Sequence, residues 1–323
     1  MKRRAFLLST LALAAGRADA QPTPRVFKVA ILTTAGKRGQ KPFYEALEQR
    51  FRELGYVEGG NFALTWHSAT GRLDRIPEIA AELAATRPDV ALATGSEVVL
   101  ATIRRLVGTT PIVMVAIDYD PVERNFVNTL SKPGGNITGL FLRQVETAGK
   151  RLQLLAEVLP NARKVAVLWD AFSHDQLQFA VQTAKGLKIS LLPFELRGNS
   201  YDFDAPLQAA KAQRAQAVLA LSSGAFFQVR QNMFAAANAQ RLPVVANSNY
   251  ADAGALIAFG ANFSQMYRRA AEYVDRILKG AKPADLPVEQ PDRYDLIVNL
   301  KTAKLLGIKI PQSVLLRADR VIE

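Results

Sequence analysis

The chain has 323 residues, no cysteine and a net charge of +12 at pH 7. The absence of cysteine excludes disulfide frameworks, zinc–thiolate sites, thiol catalysis and a lipid anchor on a cysteine. Lysine and arginine are scattered among acidic residues, and no basic run alternates with aromatic residues, so we expect no nucleic-acid partner. The length suffices for two domains of ordinary size, whose core is large enough to dispense with disulfides.

The N-terminal segment has the three parts of a secretory signal: a cationic head at residues 1–4, an apolar stretch over 5–15 and an A-x-A end at 18–20. The apolar stretch is too short for a transmembrane helix, which needs about 20 residues. We expect cleavage after Ala20 and a soluble periplasmic chain of net charge +9, because residues 1–20 carry four basic residues and one acidic residue. The alternative is that this segment is an amphipathic N-terminal helix that is not cleaved from the protein. The Arg3-Arg4 pair fits twin-arginine export as well as the general route.

Strand-like and helix-like segments alternate through the rest of the chain. In the first series the predicted strands cover residues 26–32, 62–67, 90–93, 112–116 and 137–142, and the predicted helices cover 43–54, 73–86 and 97–106. In the second series the strands cover 165–169, 190–194, 217–221, 243–246 and 256–259, and the helices cover 145–159, 175–187, 203–214, 225–240 and 265–278. The tail contains a predicted strand over 294–299 and a short helix over 300–306.

Several predicted strands are continuous apolar runs, which is typical of strands covered on both faces. Strands that alternate with helices indicate parallel βαβ units. Two such series of similar length predict an α/β fold with two doubly wound, Rossmann-like lobes.

Small polar residues follow the predicted strands, at the position where ligands bind in open parallel sheets. The candidate ligand-binding residues are Thr33, Thr34, Thr94, Gly95, Ser96, Asp118, Tyr119, Ser173, Ser222, Ser223, Asn247, Tyr250 and Phe259.

Different roles are predicted for these candidates. Backbone N–H groups at a helix N-terminus favour a carboxylate, which makes the helix ends at Ser96 and Ser223 candidate carboxylate sites. The alternative is that both serines only cap their helices. Asp118 is the candidate partner of a ligand ammonium. Tyr119, Tyr250 and Phe259 are candidates for stacking on a flat ligand, with plain core packing as the alternative.

The sequence contains none of the common motifs for catalysis, metal binding or nucleotide binding. The chain has two histidines, His67 and His174, and neither lies in a cluster with metal-ligand spacing. No nucleophile elbow, phosphate-binding loop or dinucleotide fingerprint occurs. We therefore expect no catalytic residue, no metal and no cofactor, although an acid–base pair of carboxylates stays open.

Five runs of residues resemble one family. They are Leu-Gly-Tyr-Val-Glu-Gly at 54–59, Asp-Pro-Val at 120–122, Lys-Pro-Gly-Gly-Asn-Ile-Thr-Gly at 132–139, Leu-Pro-Val-Glu-Gln at 286–290 and Asn-Leu-Lys-Thr-Ala-Lys-Leu-Leu-Gly at 299–307. With these runs the chain resembles the substrate-binding proteins of ABC transporters of the TrpX-like, tryptophan/tyrosine-binding type. The resemblance covers essentially the whole chain after the signal.

The resemblance implies a type I periplasmic binding protein fold, with a ligand between two lobes and a hinge of three crossing segments. By analogy the crossings lie near residues 140–145, 258–262 and 286–290. The first lobe would comprise 21–142 and 258–286, including the helix over 265–278, and the second lobe 143–257 and 287–323.

The resemblance also implies a function. The protein would capture a small organic solute, an aromatic or other amino acid, by hinge closure, without chemistry and as a monomer. It would then present the solute to the membrane permease and ATPase of an ABC importer. The alternatives are a ligand-sensing module for a membrane receptor and an exported α/β enzyme.

Overall fold

A computed structural model describes residues 25–34, 36, 41–70, 72–198 and 201–323, so the signal expected over residues 1–20 lies outside the described residues. The strands are β1 Phe27–Thr33, β2 Phe62–Ser68, β3 Val90–Gly95, β4 Ile112–Ile117, β5 Ile137–Leu142, β6 Lys164–Trp169, β7 Ser190–Glu195, β8 Ala217–Ala220, β9 Val244–Ala246, β10 Ile257–Ala261, β11 Tyr294–Asn299 and β12 Arg320–Ile322. The helices are α1 Lys41–Glu53, α2 Ile76–Ala85, α3 Glu97–Leu106, α4 Val145–Val158, α5 His174–Leu187, α6 Asp204–Ala212, α7 Gly224–Gln228, α8 Arg230–Ala239, α9 Phe263–Leu278, α10 Leu300–Leu306 and α11 Gln312–Leu315.

The first lobe is built on a parallel sheet of order β2-β1-β3-β4-β5. Helices α1 and α9 cover one face, and α2 and α3 cover the other. Phe43, Leu47 and Phe51 recur at helical spacing along α1 and are buried against the sheet. The β3 residues Val90–Ala93 are almost fully buried, as expected of a strand with a helix layer on each face.

The second lobe is built on a sheet of order β12-β11-β10-β9-β8-β6-β7, in which β11 runs antiparallel to β10. Helices α4, α5, α10 and α11 cover one face, and α6 and α8 cover the other. The prediction of two doubly wound α/β lobes is therefore confirmed. No helix within the described residues combines the length and apolarity needed to cross a bilayer.

Two parts of the second lobe differ from the predicted elements. The helix predicted over residues 225–240 is interrupted at Val229, whose φ of −111° and ψ of 18° separate α7 from α8. The tail contains α11 and β12, which were not predicted, because four- and three-residue elements are too short for periodicity to detect.

The chain passes between the lobes at residues 143–144, at Asn262 and at 290–293. After Asn262, α9 packs against α1 of the first lobe. The expected boundary at residue 258 moves to residue 262, because Ala258–Ala261 pair with β11 in the second sheet. The expected boundary at 287 moves to about 290, because Glu289 bridges to Leu140 of β5.

The segment before the third crossing extends the first sheet. Phe141 N–H donates to the Glu289 carbonyl at 2.9 Å, and Glu289 N–H donates to the Gly139 carbonyl at 3.0 Å. The Thr138 hydroxyl donates to the Leu286 carbonyl at 2.7 Å. These bonds attach the segment before the last crossing to β5, the strand that leads into the first crossing.

Candidate functional site

A hydrogen-bond network at the first crossing joins the carboxyl ends of the two sheets. Gln144 donates from its backbone N–H to Asp118 Oδ1 at 3.2 Å and from Nε2 to Asp118 Oδ2 at 2.9 Å. Its Oε1 accepts from Asn247 Nδ2. Asp118 follows β4 of the first lobe and Asn247 follows β9 of the second, so one buried glutamine connects both lobes.

The network continues into the second lobe. Asn247 Nδ2 also donates to Ser222 Oγ at 3.0 Å, and Gln176 holds the backbone of Ser222 through bonds of 2.8 and 2.9 Å. Gly260 makes this arrangement possible, because a Cβ at that position would clash with the side-chain oxygen of Asn247. Ser222 and Asn247, both predicted site residues, are thus brought together.

Asp118 is a half-buried carboxyl group at the turn after β4, with a φ of 65°. Burial raises the pKa of Asp118 to about 7, and the hydrogen bonds from Gln144 and the attraction of Arg151 oppose that rise. The carboxyl therefore titrates close to neutral pH and is well placed to respond to a cationic ligand group.

Arg151 on α4 is fully buried. Its Nε donates to the Phe259 carbonyl at 2.9 Å and its Nη2 to Thr147 Oγ1 at 2.8 Å. Its Nη1 is buried and has no hydrogen-bond partner among the described residues. Burial lowers the pKa of Arg151 to about 10, against the attraction of Asp118. A buried guanidinium with a free N–H group is a strong donor for a ligand oxygen.

A second carboxylate, Asp170, follows β6 and is buried in the second lobe. It accepts hydrogen bonds from the hydroxyls of Ser173, Tyr201 and Ser223. The Ser223 hydroxyl also accepts from the N–H groups that open α7, so it is a helix cap. The hydroxyls of Ser173 and Ser223, both candidate ligand-binding residues, thus bind and orient the Asp170 carboxylate.

The first-lobe candidates lie together at the ends of β1 and β3. The Tyr44 hydroxyl donates to Thr33 Oγ1 at 3.1 Å, and Thr94 is buried on the adjacent strand. Thr34 lies beside Gly95, which has a φ of 96°. Ser96 stands at the N-cap of α3 but makes no capping hydrogen bond.

A cluster of aromatic side chains from both lobes lies beside these strand ends. The Phe43 ring on α1 stacks on the Phe227 ring of α7, with centroids 5.6 Å apart, and also contacts Phe263 at 5.3 Å. Tyr250 meets Phe227 edge-on at 5.6 Å. The Arg230 guanidinium lies 4.1 Å from the centre of the Phe227 ring, and burial lowers its pKa.

Several buried polar atoms of both lobes have no hydrogen-bond partner among the described residues. Among the described residues, the buried atoms without a partner include Ser96 Oγ, Trp169 Nε1, Asn249 Oδ1, Gln228 Nε2 and Arg151 Nη1. Leaving a buried polar group without a partner costs about 1–3 kcal/mol. Ser96 directly follows β3, Trp169 ends β6 and Asn249 lies three residues after the end of β9, so these unmet donors and acceptors make the carboxyl ends of the two sheets the candidate ligand site.

Two predicted stacking residues lie elsewhere. The Tyr119 ring is buried in the first-lobe core, edge-on to Phe126 at 5.9 Å. The Phe259 ring packs with the α4 face of the second sheet and stacks on Tyr294 at 6.0 Å. Their rings therefore fill cores, and only the Phe259 carbonyl reaches the network, through Arg151.

Sequence reasoning missed several residues of the site. Asp170 directly follows a predicted strand, so the expectation that ligands bind beyond the carboxyl ends of parallel strands was sufficient to find it. Gln144, Arg151 and Arg230 carry no such signal, because they lie at a crossing or within helices. Among the described residues, no group of three or more His, Cys, Asp or Glu is placed to hold a metal ion.

Comparisons with known proteins agree with this architecture. The family model for ABC transporter substrate binding proteins matches residues 28–322. A tyrosine-binding protein of Clostridioides difficile is 23% identical over 283 residues, which cover 84% of this chain and 77% of the relative.

Solved structures show the same fold. A conserved domain protein from Vibrio cholerae is 26% identical, with a TM-score of 0.82 over 92% of this chain and 100% of that one. An ABC domain from Streptococcus pneumoniae in complex with L-Trp is 21% identical, with a TM-score of 0.79 and the same coverage. The two lobes thus have the fold of type I periplasmic binding proteins, and this chain belongs to the substrate-binding proteins of ABC transporters.

Proposed function

We propose that the chain is the periplasmic binding component of an ABC importer, which captures an aromatic amino acid between its lobes. In this proposal the protein is exported, acts as a monomer and passes its ligand to a permease and ATPase. The observation that carries the proposal is the set of buried polar atoms without partners at or just after the carboxyl ends of strands in both sheets, on Ser96, Trp169 and Asn249. A zwitterionic ligand provides both the acceptors and the donors that these atoms lack.

The ends of the amino acid have separate partners in this proposal. Arg230 has no acidic partner among the described residues and is the principal candidate to bind the carboxylate, together with Ser96 and the N-terminus of α3. This assigns to Arg230 the role first expected of Ser223, whose hydroxyl is already engaged. Asp118 pairs with the ammonium group.

The aromatic part of the ligand is proposed to lie against Phe227 and Tyr250, whose rings meet edge-on. Two relatives support this ligand class, since one is named a tyrosine-binding protein and another was solved with L-Trp.

Hinge closure is proposed as the capture step. Two contacts support it. The stack of Phe43 on Phe227 breaks if the lobes separate, and Gln144 in the first crossing bonds both to Asp118 of the first lobe and to Asn247 of the second. Separation exposes the candidate ligand contacts to solvent, and closure buries them.

The test is mass spectrometry of the ligand released from the purified, denatured protein, followed by calorimetry with that compound. An aromatic amino acid that binds one-to-one and is recovered unchanged supports the proposal. Chemical turnover of the compound, or absence of binding to every aromatic amino acid, contradicts it. N-terminal sequencing of the exported protein tests the cleavage before Gln21.

A further inference from the structure

The edge of the second sheet that lies opposite the ligand gap is strongly basic. Seven exposed residues form what we call the basic edge: Arg163, Lys164, Lys185, Lys188, Lys211, Arg214 and Arg241. They lie at the amino ends of the strands, whereas the candidate ligand site lies at the carboxyl ends. Occupation of the basic edge therefore leaves the gap between the lobes free.

Strand order makes the basic edge continuous. Its residues precede or begin β6, β7, β8 and β9, which are neighbours in the order β9-β8-β6-β7. Adjacent strands lie about 4.8 Å apart, so the four connections lie side by side along one edge. Basic residues that are separated in sequence thus form one row in space.

The connections of this row lack acidic residues, and Glu157, in the last turn of α4, is paired with Arg317. The four connecting segments, residues 160–164, 185–190, 211–216 and 240–243, contain no aspartate or glutamate. Two of the cations bond only to neutral oxygens: Arg163 donates to the Pro160 carbonyl at 3.0 Å and Lys185 to Gln182 Oε1 at 3.3 Å. Within the described residues, none of the seven forms an ion pair.

Backbone conformation adds a second observation. Lys188, Arg214 and Arg241 follow α5, α6 and α8 with φ values of 56°, 63° and 51°. Glycine adopts this left-handed conformation at less cost than any residue with a Cβ and is the usual residue after a helix. In the second lobe all three positions instead carry a cation.

The first lobe provides an internal comparison, because it has the same strand–helix pattern. At its amino edge the left-handed positions are Gly55 and Gly59 before β2, Gly108 before β4 and Gly134 before β5. Arg87 is a basic exception, but Asp89 lies two residues away and pairs with Arg25 at 2.6 Å. Helix dipoles favour cations at helix C-termini in both lobes equally, so they do not explain the difference.

We propose that the basic edge binds the anionic headgroups of a phospholipid bilayer and holds the protein at the membrane surface. Long, flexible and exposed cations in a row, without aromatic residues among them, suit charge spread over a surface better than a single compact ligand. Lipid binding through this edge leaves the ligand gap accessible to solute. The attraction is electrostatic and is therefore weakened by salt.

The test is co-sedimentation of the protein, beginning at Gln21, with phosphatidylcholine vesicles that contain roughly one-third of the anionic lipid phosphatidylglycerol. We expect binding at low salt, loss of binding at high salt, and no binding to pure phosphatidylcholine. The triple variant Lys164→Glu, Lys185→Glu and Lys211→Glu should bind roughly tenfold or more weakly. All three positions are exposed and have ordinary helical or extended backbone, which favours retention of the fold.

A matched control separates the basic edge from total charge. Arg52, Arg105 and Lys132 are exposed cations of the first lobe, and their reversal to glutamate changes net charge by the same amount. This control should keep most of the vesicle binding. Equal loss in both variants, or no binding of the unchanged protein, overturns the proposal. Retention on a polyglutamate column without vesicle binding also overturns the proposal, because it would indicate an acidic protein partner.

Circular dichroism confirms the fold of each variant. If the charge-reversal variant unfolds, a triple change of the three lysines to glutamine replaces it.

Discussion

The ring of Phe43, on the first helix of the first lobe, stacks on Phe227 of the second lobe at 5.6 Å, with the ring planes 25° apart. Both side chains are at least nine-tenths buried. The contact lies beside Tyr250 and Arg230, so it couples the relative position of the lobes to the proposed ligand contacts.

Replacement of Phe227 by Leu should weaken ligand binding by up to about tenfold, because an aromatic pair contributes about 0.5–1.5 kcal/mol beyond its buried area. Calorimetry with the ligand measures this change. Phe203→Leu is the matched control, since Phe203 is equally buried but packs on Tyr201 and Phe226 within the second lobe. Equal affinities for the two variants would contradict a role for the Phe43–Phe227 contact in closure.

Ligand affinity should fall as the pH decreases from 8 to 6. Burial raises the pKa of Asp118 to about 7, and only the ionised form attracts an ammonium group. Asp118→Asn should bind roughly ten- to a hundredfold more weakly at pH 8 and lose this pH dependence, as expected when a charge-assisted hydrogen bond is removed.

The same carboxyl predicts a pH effect on stability without ligand. Its pKa is higher in the folded chain than in the unfolded chain, so the folded state binds more protons between about pH 4 and 7. The free energy of unfolding therefore decreases through this Asp118 contribution as the pH rises across that window. Urea unfolding of the protein and of Asp118→Asn, compared at pH 5 and 8, should show a smaller decrease in the variant.

Arg151→Met should move the midpoint of the pH-dependent binding to higher pH. The positive charge of Arg151 lowers the pKa of Asp118, and its removal allows that pKa to rise further. Methionine fills much of the same buried space without a charge. Calorimetric titration across pH 6–9 locates the midpoint, and an unchanged midpoint would show that the two groups are not coupled.

Arg230→Leu should weaken binding of an aromatic amino acid by roughly ten- to a hundredfold, because it removes a charge-assisted hydrogen bond to the carboxylate. The amide derivative of the same amino acid is the control ligand. It lacks the carboxylate, so its affinity should be similar in the variant and in the unchanged protein. A parallel loss for both ligands would show that Arg230 acts through packing on Phe227.

Gly260→Ala should reduce both stability and ligand affinity, since a Cβ there displaces the Asn247 side chain from the network with Gln144. Thermal unfolding and calorimetry measure the two effects. Gly186→Ala is the control: it lies within α5 with open space around its Cβ position. That variant should gain about 0.5–1 kcal/mol of stability and bind normally.

The sequence by itself determined the two-lobed α/β fold. Continuous apolar strands such as Val90–Ala93, alternating with amphipathic helices such as α1, are local signals, and burial on both faces of a sheet follows from them. The expectation that ligands bind beyond the carboxyl ends of parallel strands also located Asp118, Ser222 and Asn247, because parallel strands bring those ends to one edge.

The tertiary structure alone decided how the lobes meet and which groups complete the site. Gln144 joins Asp118 to Asn247 only because a crossing segment brings it between two sheets. Tyr119 follows the same strand as Asp118, yet its ring enters the core, because side-chain direction depends on the turn and not on position along the chain. The secretory pattern of residues 1–20 stays a prediction from sequence.

The basic edge joins loops that are far apart in the chain, and only the strand order places them side by side.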